Sequence, residues 1–152
     1  MIRIIGIGAP FGDDAVGLIL ARILALEPPP GCEVLASDRP GAGLIDLLEG
    51  AEAAILIDAV RSGAPPGTVH QLTFSELARH SGRFVSSHEL GVAESVQLAE
   101  KLQRLPGRGG VLGIEIGIVP AYPQEYQLSR QIMQIVQEGV ARVRTWAASL
   151  SR

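Results

Sequence analysis

Cysteine is almost missing from this chain: Cys32 is the only one among 152 residues. No internal disulfide can form, CxxC zinc or redox motifs are excluded, and a reducing, cytoplasmic compartment is expected. Aromatic residues are scarce at 4%, too few to build a base-stacking platform. Charge is thin as well, 19% of residues with a net −3, and no basic block is long enough to track a phosphate backbone, so nucleic acid is not an expected partner. No apolar stretch approaches the roughly 20 residues of a membrane span. The opening MIRIIGIGAP has neither the h-region nor the cleavage site of a signal peptide. No membrane partner is expected.

What the chain does have is apolar content, 47%, arranged in alternating short and long runs. Arg3 to Gly8 reads as a buried strand ended by Gly-Ala-Pro. A helix is expected from Asp13 to the stop at Pro28-Pro29-Pro30, where proline forbids continuation. Strands are expected at Cys32 to Ala36, Ala53 to Val60, Val69 to Phe74 (an outer strand) and Val111 to Pro120. Short helices are expected at Gly43 to Leu48 and Ser75 to Ser81, a long one at Glu89 to Leu105, and a terminal one at Leu128 to Leu150 with Ser129 or Gln127 near its start. Strands alternating with helices predict an α/β fold, a three-layer α/β/α sandwich around a mainly parallel sheet of about five strands.

Open α/β sheets bind ligands beyond the carboxyl ends of their strands. The polar residues that follow strands directly are Asp13 and Asp14 in GDDAVG at 12–17, Asp58 in LIDAV, and Ser86, Ser87 and His88 in SSHELGV. Two carboxylates and an imidazole delivered to one rim make a plausible metal constellation, hard oxygen donors plus one borderline nitrogen. Each also has an ordinary structural role. Asp13 or Asp14 can cap a helix N-terminus, Asp58 can bond a loop amide, and His88 can cap a helix or lie at the surface.

Other candidates are weaker. The glycines at 6, 8 and 12 lack G-x-G-x-x-G spacing, Asp38 is the one acid that could end the second strand, and there is no P-loop. Ser86 and Ser87 lack a G-x-S-x-G elbow. Cys32 starts a strand among apolar neighbours and reads as ordinarily buried rather than as a partner for His88. His70 and His80 are expected to be solvated. Glu115 interrupts an apolar strand and either lines a pocket or faces solvent at a sheet edge.

Taken together, GIGAPFGDDAVG at 6–17, LIDAVRSGAPPGTV at 56–69, SSHELGV at 86–92 and LS at 128–129 resemble the hydrogenase maturation proteases, in the family's order and over nearly the whole chain. The resemblance implies one domain over 1–152, an endopeptidase that trims the C-terminal extension of a [NiFe] hydrogenase large-subunit precursor already carrying nickel, and monomeric action. It implies that Asp14, Asp58 and His88 are both the metal ligands and the catalytic set. Asp13 remains as the expected helix cap. The metal is nickel presented by the substrate, with Zn, Cd or Ni as alternatives on the free protein. The chain departs from the family pattern after the first strand: Ala9 stands where an asparagine is usual, and the loop to the double acid is one residue shorter. A non-catalytic accessory that binds metal or the hydrogenase subunit is the alternative reading, and a nucleotide-binding module is a third that the glycine pattern does not support.

Overall fold

The computed structural model describes residues 1–79, 91–118 and 120–152. Five strands, β1 (Ile2–Gly8), β2 (Cys32–Asp38), β3 (Ala53–Val60), β4 (Val69–Thr73) and β5 (Arg108–Glu115), form one sheet in the order β2-β1-β3-β5-β4. All neighbours are parallel except β4, which runs antiparallel along β5 at the edge. The helices are α1 (Val16–Leu26), α2 (Leu44–Leu48), α3 (Phe74–Arg79), α4 (Val92–Lys101) and α5 (Arg130–Leu150). None of the described helices is long and apolar enough to cross a membrane.

Strand alternation sorts the core into two faces. Ile4, Ile55, Ile57, Leu112 and Ile114 pack with Leu20 and Leu24 of α1 and with the Ile132, Val136, Val140 and Val143 stripe of α5. Ile5, Ile7, Ala54, Leu56 and Val111 face the other way, onto Leu44 and Leu48 of α2, Leu77 of α3, and Val92 and Val96 of α4. The expected three layers are therefore present, with β3 at the centre and all eight of its residues buried.

Glycine sets how closely α1 approaches the sheet. A Cβ on Gly17 would lie 2.3 Å from the Ile7 carbonyl oxygen and 2.5 Å from that of Ile57. One on Gly6 would lie 2.2 Å from the Gly17 carbonyl oxygen, and one on Gly8 2.3 Å from that of Asp14. The start of α1 thus rests directly on the ends of β1 and β3. Farther along, a Cβ on Gly139 of α5 would come within 2.8 Å of Leu20 of α1.

Several expected boundaries move. The helix expected from Asp13 begins as a single 3-10 turn, Gly12–Ala15, entered at Gly12 with φ +58°, and becomes α-helical only at Val16. β5 starts at Arg108 and ends at Glu115, earlier than the 111–120 run implies. Its first residues are glycines because neighbouring backbone leaves no room: a Cβ on Gly109 would be 1.9 Å from the Ala54 carbonyl oxygen, and on Gly110 1.8 Å from that of Leu72. The helix expected over Glu89 to Leu105 is shorter in its described part, closing at Lys101 before Gln103 takes φ +57°. β2 runs two residues farther than expected, to Asp38.

Gly17→Ala should lower the unfolding free energy by about 1–3 kcal/mol or more, because backbone on two strands would have to shift. Gly43→Ala, at φ −60° with open space around its Cβ position, should leave it unchanged or slightly higher. Denaturant unfolding of both variants checks the contrast.

Candidate functional site at the carboxyl edge

β1 connects through α1 toward β2, on one side of the sheet, while β3 leads to the strands on the other side. The strand order therefore reverses between β1 and β3, and the carboxyl ends at such a switch point are where open α/β sheets bind ligands. Asp14 lies in the 3-10 turn that follows β1, and Asp58 is the sixth residue of β3. Both stand at this edge.

Asp58 shares the α3–α4 face with Ala54 and Leu56 and is 1% exposed. One of its oxygens accepts a hydrogen bond from its neighbour's backbone N–H (Ala59 N to Oδ1, 2.9 Å). A carboxylate set within eight buried residues requires donors or a cation around it. It lines a small pocket with Val60, His70, Leu72, Leu77 and Gly113. Asp14 is half-buried, and its backbone carbonyl accepts from Ala9 N at 3.3 Å. The third expected member, His88, lies outside the described residues, as do Ser86, Ser87 and His80. Among the described residues no three acids, histidines or cysteines are grouped to hold a metal ion. Two carboxylates at one edge supply hard anionic oxygen, the kind of donor a divalent ion accepts alongside an imidazole.

Asp13 does not cap its own helix. The residues preceding the 3-10 turn and α1, Phe11 and Ala15, cap neither element with a side chain. Instead Asp13 Oδ1 accepts from Ser129 N at 2.7 Å, 116 residues away. Ser129, one of the two residues expected near the start of α5, caps it, its hydroxyl accepting from Ile132 N. Around this bond the turn after β1 and the segment before α5 are joined by Gly12 N to the Gln124 carbonyl (2.9 Å), Tyr126 N to the Pro10 carbonyl (2.8 Å) and a Phe11–Glu125 bridge. Arg22 of α1 donates to the Tyr126 hydroxyl at 2.7 Å and lies over its ring. The carboxylate beside Asp14 is thus an anchor between distant segments.

Cys32 sits at the opposite, amino end of the sheet, paired in register with Ile2. Burial pushes its thiol up from the ordinary value, which suits an inert side chain. Asp38, at the end of β2, is held by the adjacent Arg39 guanidinium at 2.6 Å.

His70 is the residue sequence reasoning misjudged, and Glu115 is one it left open. His70 is 19% exposed rather than solvated, and Glu115, 2% exposed, points inward. Glu115 accepts from Ser62 N (2.8 Å) and Ser62 Oγ (2.6 Å) and pairs with His70 Nε2 (3.0 Å). Burial raises its carboxyl, but the Ser62 side-chain and backbone bonds, together with His70, outweigh that and hold it below the ordinary range. The acid interrupting VLGIEIGIV was the available signal; its partners, 45 and 53 residues away, were not legible.

Three layers around a mainly parallel sheet, with Asp14 and Asp58 at its carboxyl edge, make this an α/β protein of the kind that binds ligands at that edge. Comparison with known proteins narrows the class. The model of the hydrogenase maturation protease family, HycI, matches residues 25–146. The chain is 24% identical to the hydrogenase expression/formation protein HupD of Rhodobacter capsulatus over 161 residues, covering 99% of this chain and 75% of that one. The [NiFe] hydrogenase maturation protease HybD from Thermococcus kodakarensis superposes with a TM-score of 0.78 at 26% identity, covering 96% of this chain and 98% of that one. The hydrogenase maturating endopeptidase HybD from E. coli shares the fold at a TM-score of 0.76 and 21% identity, over 93% and 88% of the two chains. This chain belongs to the hydrogenase maturation protease family.

Two stability effects follow from the site's bonding. Asp13→Ala should cost about 0.5–1.5 kcal/mol by stranding Ser129 N–H, and Ser129→Ala about 0.5–2 kcal/mol by uncapping α5; chemical denaturation measures both. The Glu115 clasp contributes fully above the carboxyl's ordinary value of 4.5 and is lost as pH falls through its lower folded value. The thermal midpoint should therefore fall more steeply in acid for the wild type than for Glu115→Gln.

Proposed function

We propose that this protein is the endopeptidase that removes the C-terminal extension from a nickel-loaded [NiFe] hydrogenase large-subunit precursor, and that Asp14, Asp58 and His88 receive the substrate's nickel. The observation that carries the reading is Asp58: a carboxylate in the most buried strand, at the switch point, on the wall of a pocket. Membership of the maturation protease family supports peptide-bond hydrolysis as the reaction. Similarity to HupD, a hydrogenase expression/formation protein, and to HybD, a [NiFe] hydrogenase maturation protease, supports a hydrogenase precursor as the substrate.

On this reading the carboxylates dock the scissile region by binding the metal it carries, so only a precursor that has already received nickel presents a ligand. A bound nickel ion can polarise a carbonyl or acidify a water. Asp58 contributes by being held in place before substrate arrives: its burial and the Ala59 N–H bond restrict its rotamers, which reduces the ordering required on binding. The backbone of Asp14 is placed by the close approach of the turn before α1 to β1.

Incubating the protein with nickel-loaded and nickel-free precursor, and weighing the products, tests the reading. Cleavage of the loaded form alone is expected, with little effect of chelating the free protease beforehand. Asp58→Asn keeps an acceptor for Ala59 N–H and should retain a near-normal thermal midpoint while slowing cleavage by roughly 100-fold or more. Equal processing of both precursors would remove the docking role. Tight binding of the precursor without any cleavage would favour the accessory reading instead.

A further inference from the structure

The segment between β5 and α5 carries apolar side chains left in solvent. Ile118 and Tyr122 are 99% and 94% exposed, more than any other large apolar side chain among the described residues. Phe11, in the turn after β1, is 40% exposed and pairs with Glu125 of the same segment through a β-bridge. Scattered apolar residues are ordinary on a protein surface, but these three belong to the two segments that the Asp13–Ser129 bond ties together. Between those segments runs a groove of about 270 Å³, lined by Asp13, Tyr122, Pro123, Gln124, Gln127 and Leu128 among others. Exposed apolar side chains gathered beside a groove mark a surface that receives another molecule.

The groove has a firm floor. Gly12 N donates to the Gln124 carbonyl (2.9 Å) and Ser129 N to Asp13 Oδ1 (2.7 Å), and a Cβ on Gly12 would stand 3.1 Å from the Cβ of Pro123. Its shape is largely present before anything binds, which reduces the ordering cost of association. The lining has the chemistry of a peptide site. Tyr122, Pro123 and Leu128 offer apolar surface, and Gln124 and Gln127 carry amides able to donate to a carbonyl and accept from an N–H of an extended chain. Asp13 is the charged member of the lining, which disfavours an acidic segment and accepts a neutral or basic one. Asp13 also adjoins Asp14, so on the reading above the groove begins one residue from a carboxylate that receives the substrate's metal.

We propose that this groove binds the stretch of precursor polypeptide adjoining its nickel-bearing region, an extended, non-acidic segment whose large apolar side chain packs against Tyr122 and Ile118. The inference rests on the precursor reading above and adds to it a contact that reads side chains instead of metal. Docking through nickel alone cannot distinguish one nickel-loaded precursor from another, whereas a groove that fits one side chain and repels an acidic one can. Burial of the exposed apolar surface of both chains supplies the affinity.

Tyr122→Ser and Ile118→Ser test this. Both side chains are almost fully exposed, so each variant should keep the wild-type thermal midpoint. KM for the nickel-loaded precursor should rise about tenfold or more in each, the scale of one large apolar side chain left unburied, with kcat within about threefold. Leu26→Ser, at the far end of α1 and 86% exposed, removes comparable apolar surface away from the groove and should leave KM unchanged. Irradiating Tyr122→p-benzoylphenylalanine with the precursor should form a cross-link close to the cleavage position, located by mass spectrometry of the digest. Unchanged KM in Tyr122→Ser and Ile118→Ser, an equal rise in Leu26→Ser, or a cross-link absent or confined to a distant part of the precursor overturns the inference, and cleavage by the wild type leaves the precursor reading intact. Sedimentation of the wild type as a dimer that Tyr122→Ser dissociates would assign the groove to a second copy and overturn the inference as well. Failure of the wild type to bind or cleave the precursor overturns both.

Discussion

The site depends on a steric constraint: α1 can begin where it does only because Gly17 has no side chain. A Cβ there would meet the carbonyl oxygens of Ile7 and Ile57 at once, on two adjacent strands. Gly6 and Gly8 make the matching allowance from the strand side. Close backbone approach of this kind leaves little latitude in where the preceding turn lies, so Asp14, three residues before Gly17, is carried to the same edge as Asp58. The glycines of GIGAPFGDDAVG are thus explained by packing rather than by a phosphate-binding loop.

A second theme is how an apolar chain accommodates buried acids. Asp58 and Glu115 each break a hydrophobic strand, and both face the α3–α4 layer near the carboxyl edge. Neither is left to the core's low dielectric. Asp58 takes a donor from the next peptide unit, and Glu115 takes three from a loop and a neighbouring strand. Asp58 lines a pocket, whereas Glu115 does not and is enclosed by Ser62 and His70.

Much of the architecture was legible because burial and periodicity coincide in it. The run Ala53 to Val60 reads as a central strand and is one, to the residue, and alternation of strands and helices correctly implied layers and a parallel sheet. The terminal helix was legible from the spacing of apolar positions, with its start narrowed to Ser129 or Gln127, and Ser129 is the cap. Reading failed where the sequence signal was local and the cause was not. Gly109 and Gly110 look like loop residues but are strand residues pressed against Ala54 and Leu72. Asp13 looks like a cap for the helix it precedes but bonds the backbone of Ser129. His70 looks like a solvated residue of an outer strand, and only its pairing with β5 reveals the acid beneath it. Asp14 and Asp58 could be singled out because strand ends are visible in a sequence, whereas hydrogen bonds between distant segments are not.

The anchor between the turn after β1 and the segment before α5 also bears on the order in which the molecule is made. Residue 13 is made 116 residues before its partner, residue 129, and β5, which separates β3 from β4 in the sheet, ends only at residue 115. A chain emerging from the ribosome can form β1, α1, β2 and β3 early and still lack both the strand that completes the sheet and the segment that pins the first turn. The anchor at the carboxyl edge can form only after residue 129 has emerged. A fold dominated by such distant pairings gathers its parts late and cooperatively.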